Sequence, residues 1–83
     1  MFERDIFSAR LKTLIQGSGM TYAQMAEILG VSTAQISDMA NGKAATSLER
    51  LYTLCVTFEV SADYLLGLTD EPRPLRRAEG TGG

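Results

Sequence analysis

The side chains best suited to hydrogen-bond chemistry in this sequence gather at three places: Thr21-Tyr-Ala-Gln24, Ser32-Thr-Ala-Gln35 and Thr46-Ser-Leu-Glu49. Each has the spacing of a capping box, in which a Ser or Thr hydroxyl accepts from the amide three residues on and the Gln or Glu there reaches back to the cap. Groups for covalent chemistry are scarce. There is no His, no pair of cysteines and no Gly-rich phosphate loop after a strand, and the carboxylates are scattered singly. Neither catalysis nor a metal site is expected, and no cofactor is implied. Cys55, among Leu51, Tyr52, Leu54 and Phe58, reads as a buried structural thiol.

The elements that must position the capping residues follow from the same stretches. Met20 before the first cap can meet Met25, and Val31 before the second can meet Ile36, a hydrophobic staple at each site. Gly30 stands where a left-handed helix end wants no Cβ, so a first short helix is predicted from about Tyr22 to Leu29. Only Val31 separates it from the next cap. So short a helix is unstable alone and must be held by its neighbours. Upstream, Phe7, Leu11, Leu14 and Ile15 recur at helical spacing, predicting a helix over 6–16 capped by Asp5 and ended by Gly17-Ser-Gly19. Downstream, the turn at Asn41-Gly42-Lys43 leads to a helix opened by the Thr46–Glu49 box, with Leu48, Leu51, Tyr52, Cys55 and Phe58 as one apolar stripe. Ser61 can cap a last short helix that Gly67 closes. Period-two alternation is missing, so the expectation is all-α, five helices and no sheet.

The 83 residues are enough for one domain, and their apolar fraction of 45% is ordinary for a globular protein. No run approaches the roughly eighteen apolar residues of a membrane span. Met1-Phe-Glu-Arg-Asp places charges of both signs where a secretory signal needs a basic start and an apolar stretch, so a cytoplasmic location is expected. From Thr69 the composition changes to two prolines, Arg73, Arg76, Arg77 and a glycine-rich end, with Leu75 almost alone as an apolar residue. Residues 1–68 are thus expected to form the folded unit, and 69–83 a tail.

A short capped helix, a sharp turn and a second capped helix on a small helical core form a helix-turn-helix arrangement. At "ARLKTLI", "GMTYAQMAEILGVSTAQISDMANGK", "SLERLYTLC" and "FEVSADYLLG" the chain resembles the phage-repressor helix-turn-helix family, the lambda-repressor and Cro class of XRE-like regulators. Ala26, Gly30 and Ile36 match that family's small residue, turn glycine and buried aliphatic. The resemblance implies a compact five-helix lambda-repressor-like fold, with the motif proper at about 21–41. It implies bases of double-stranded DNA read from the start and outer face of the second helix, here Thr33, Ala34, Ser37 and Asp38. Helical geometry sets these opposite Ile36, Met39 and Ala40. Thr33 and Ala34 can offer methyl contacts to thymine, Ser37 can bond several base edges, and Asp38 can accept from a cytosine amine. Thr21, Tyr22, Asn41, Lys43, Thr46 and Ser47 are the expected phosphate contacts.

The chain departs from the family in having Tyr22 where Gln commonly follows the first cap. It also has Ala40 where Glu often precedes Asn-Gly, and Ile15 at the site of that Glu's usual Arg partner. Losing both charges together leaves none unpaired. Charge is the more consequential departure, because residues 1–70 hold five Lys or Arg against eight Asp or Glu. A negative domain repels DNA at long range. Two functions are therefore weighed. One is a repressor binding a palindromic operator as a homodimer, through Tyr64, Leu68 and Leu75, with no small-molecule effector evident. The other is a protein-binding module on the same scaffold, antitoxin-like or a co-regulator component, whose acidic surface meets a basic partner.

Overall fold

The structure, a computed structural model, describes residues 2–73. They form five helices and, among the described residues, no strand: α1 (Arg4–Ser18), α2 (Tyr22–Leu29), α3 (Thr33–Ala40), α4 (Leu48–Phe58) and α5 (Ala62–Leu66). The all-α, five-helix expectation is met. No described helix is long and apolar enough to cross a membrane.

The core is built from one face of every helix. Phe7, Leu11 and Ile15 of α1 meet Met25 and Ala26 of α2, Ile36 and Met39 of α3, Leu54 of α4 and Leu65 of α5, with Val60 between the last two. Each large side chain so buried contributes about 1.5 to 3 kcal/mol relative to exposure, which is what two eight-residue helices lack by themselves. α1 packs on α3 and α5, α2 on α3, and α4 on both α2 and α5. Met20 and Val31 pack against this core beside Met25 and Ile36, as their staple positions require.

Two helix starts differ from expectation. α1 begins at Arg4, so Asp5 lies inside its first turn, and Glu3 holds the cap position without a side-chain hydrogen bond. Gly17 stays within the helix, and Gly19 ends it. At α4 the cap is Ser47, whose Oγ accepts from the Arg50 amide at 3.2 Å, so the Thr46–Glu49 box does not form. The Thr46 hydroxyl is instead buried without a partner. Leu51, Leu54, Cys55 and Phe58 turn inward, and Leu48, Tyr52 and Val56 drift round to the outer flank, where they are 83%, 72% and 59% exposed. Burial pushes the Cys55 thiol up, away from the thiolate a nucleophile needs.

The segment after α5 returns onto the bundle. The Arg10 guanidinium donates to the carbonyl oxygens of Tyr64 and Thr69 and, at 2.8 Å, to Asp70 Oδ1, while lying 4.3 Å from the centroid of the Tyr64 ring. The Ser61 amide donates to the Pro72 carbonyl at 2.9 Å. Tyr64 is consequently half-buried under Arg10, not part of an open face, whereas Leu68 is exposed.

Candidate nucleic-acid interface

The two expected capping boxes of α2 and α3 are both present and nearly superimposable in their bonding. Thr21 Oγ1 accepts from the Gln24 amide at 3.1 Å, and Gln24 Oε1 accepts from the Thr21 amide at 2.8 Å. Ser32 Oγ and Gln35 Oε1 repeat the arrangement at 3.1 and 2.8 Å. Between the boxes Gly30 adopts φ +71°, and the following Val31 amide donates to the Ala26 carbonyl at 3.0 Å. This turn leaves α3 anchored by Ile36, Met39 and Ala40, all buried, with its opposite face free.

On that free face Thr33, Ala34 and Asp38 are exposed, together with Asn41 just past the helix end. Ser37 is half-buried, and its Oγ accepts from Asn41 Nδ2 at 3.2 Å. Ser37 and Asn41 therefore act as a pair, each limiting where the other can point. Of the six expected phosphate contacts, Thr21, Asn41, Lys43 and Ser47 are exposed. Tyr22 is half-buried and packs against the core, and Thr46 is half-buried with its hydroxyl shut in. The Thr46 hydroxyl is thereby withdrawn from the surface, whereas the Tyr22 side chain keeps part of its area exposed. Arg73 is exposed and lies 3.5 Å from Glu71, whose carboxyl it holds below the usual range by hydrogen bonding; Leu75, Arg76 and Arg77 lie outside the described residues.

Sequence reasoning missed two features. Gln35 counts there only as a cap, although its carboxamide is exposed and has two N–H donors besides the oxygen used in capping. The Leu48–Tyr52–Val56 flank was assigned inward in part. The signal for it lay in the four-residue spacing, which carries these residues away from Leu54.

Electrostatically the interface is unusual for a nucleic-acid surface. Residues 21–42 contain Glu27 and Asp38 and no Lys or Arg, and the next cation is Lys43. Any attraction to phosphate at α2 and α3 must come from neutral donors and helix ends.

Comparison with known proteins decides the family. A helix-turn-helix family model matches residues 11–65, which span α2, the Gly30 turn, α3 and α4. The chain belongs to this helix-turn-helix family. A curated relative, the uncharacterized HTH-type transcriptional regulator YobD of Bacillus subtilis, is 32% identical over 69 residues, covering 83% of this chain. The chain spans 62% of that relative's length. Among solved structures, a transcriptional regulator from Listeria innocua matches with TM-score 0.73 and 26% identity over 92% of this chain and 82% of that one. The P22 c2 repressor, solved with a synthetic operator, matches at TM-score 0.69 over 74% of this chain and 92% of its own. Its 24% identity makes this a likeness of fold. These three proteins are named as regulators or as a repressor, not as enzymes.

Proposed function

We propose that the chain is a sequence-specific repressor that binds a palindromic operator as a homodimer, with α3 in the major groove and α2 across the backbone. The observation that carries this reading is the free outer face of α3, where Thr33, Ala34 and Asp38 project from a helix fixed on its other side by Ile36, Met39 and Ala40. Thr33 and Ala34 meet thymine methyls, and Asp38 accepts from a cytosine amine. Thr21, Asn41, Lys43 and Ser47 contact phosphate, with Tyr22 and Thr46 serving as packing residues at the same helix starts.

One such unit reads only a few base pairs, and a two-fold pair doubles the contacts. The Leu48–Tyr52–Val56 flank is the surface a second copy covers, because it is apolar and repeats every four residues. A self-complementary contact can use such a stripe twice. Three such side chains expose roughly 400 Å² per copy, about half of what one partner contributes to a standard stable interface. The dimer is therefore weak in solution and is completed on the operator.

The absence of Lys and Arg from residues 21–42 supports a second reading, a protein-binding module whose acidic face meets a basic partner. Selection of duplexes from a random pool at low salt separates the two. Recovery of a palindromic consensus with half-sites about one helical turn apart supports the repressor. A pool that yields no consensus turns the account to the protein partner.

A further inference from the structure

α5 has only five residues, too few to hold a helix alone, and both of its ends are tied by the chain that follows it. At its start the Ser61 amide donates to the Pro72 carbonyl at 2.9 Å. Near its end the Tyr64 carbonyl accepts from Arg10 of α1, and the same guanidinium donates to the Thr69 carbonyl and Asp70 Oδ1 while lying over the Tyr64 ring. One side chain thus grips both α5 and a strap of residues 67–72. The strap also runs close to α1: at Gly67, with φ +85°, an added Cβ would stand 3.0 Å from Ile6. The helix-turn-helix family model ends at residue 65, so the strap lies beyond the part of the chain it matches. At the other end of α5, the link from α4 is strained. Glu59 has φ +55°, in the left-handed region, and is the one residue other than glycine with a positive φ among the described residues. A residue with a Cβ is disfavoured there, and a carboxylate at the negative end of α4 is disfavoured again. If α5 swung away, Glu59 could return to a negative φ. Strain at this link therefore works against the closed position that Arg10 secures. α5 packs mainly on α1 and α4, so it can leave without parting α2 from α3.

We propose that α5 and the strap open and close as one unit on a hinge at Glu59, with Arg10 as its latch. Opening bares Leu65, which is fully buried when the unit is closed, and leaves the α2–α3 motif folded. The device is independent of what α3 binds. Amide hydrogen exchange of the full chain in low denaturant tests it, followed at Ser61, Leu65, Gly67 and Leu68, whose amides bond within the unit. Leu11 and Leu54, mid-helix in the core, serve as the reference. In the wild type the four amides should share one opening, more frequent than that of Leu11 and Leu54 and less dependent on denaturant. Arg10→Gln should speed all four together by about ten- to hundredfold, the loss expected for hydrogen bonds to a charged group. Asn tolerates the left-handed region, whereas Gln loses the charge of Glu59 but keeps the strain. Glu59→Asn should therefore slow the four amides by about threefold relative to Glu59→Gln. Exchange of the four in step with Leu11 and Leu54 at every denaturant concentration would overturn the separate unit. Unequal shifts among the four in Arg10→Gln, or no shift, would overturn the latch. Equal rates in Glu59→Asn and Glu59→Gln would overturn the hinge.

Discussion

α3 and α4 are alike inside and opposite outside. Each opens on a serine cap, Ser32 or Ser47, and each presents an apolar face to the same core, through Ile36 and Met39 in one and Leu54 in the other. Outward, α3 shows hydroxyl, methyl, amide and carboxylate groups, whereas α4 shows Leu48, Tyr52 and Val56. Inward faces are set by the fold and carry little information about function. The outward faces differ in chemistry, and on the proposed reading α3 meets a groove of hydrogen-bonding edges and α4 an apolar partner.

The largest effect should come from breaking the inward likeness. Ile36→Ala and Leu54→Ala remove side chains of 1% and 0% exposure, and each should cost about 2 to 5 kcal/mol in a denaturant melt. A cost confined to one helix would mean the two do not share a core. Next is Gly30→Val, which should cost about 1 to 3 kcal/mol. No atom lies within 4 Å of a Cβ placed there, so the cost comes from forcing a β-branched residue to φ +71°. It should disturb the α2–α3 angle, and hence DNA binding, beyond what its effect on stability explains. The smallest shift in the melt belongs to the outer flank of α4. Leu48→Ser with Tyr52→Ser should move stability by about 0.5 kcal/mol or less, as expected for an exposed surface, yet abolish self-association in sedimentation and cooperativity on the operator. Unchanged association would assign the dimer to another face.

What was legible in the sequence was whatever two or three adjacent residues decide. Thr21–Gln24, Ser32–Gln35 and Gly30 are local devices, and their helices start and stop where the sequence places them. The α4 start was ambiguous for the same reason: Thr46 and Ser47 are both competent caps, and packing of the helix that follows chooses Ser47. Rotation of α4, which sends Tyr52 outward and Leu54 inward, depends on α2 and α5 and has no local sign beyond spacing. Arg10 reaches acceptors 54 to 60 residues away, a contact that periodicity cannot show. At the site, the outer residues of α3 could be read because Ile36, Met39 and Ala40 fix the inner face. Which polar groups remain free could not, since the Ser37–Asn41 bond and the commitment of Gln35 Oε1 appear only with the side chains in place.

The central claim is that the outer face of α3 reads bases, and Asp38 tests it most directly. It is exposed and makes no side-chain hydrogen bond or ion pair among the described residues, so Asp38→Ala should leave the melt unchanged. The measurement is affinity for the selected duplex and for every single-base variant of one half-site, compared between wild type and Asp38→Ala. The account predicts that discrimination at one position, where cytosine is preferred, falls by about 1 to 3 kcal/mol. Affinity for random DNA should rise, because a charge that repels phosphate is gone. Identical base profiles for the two proteins would contradict a reading role for α3.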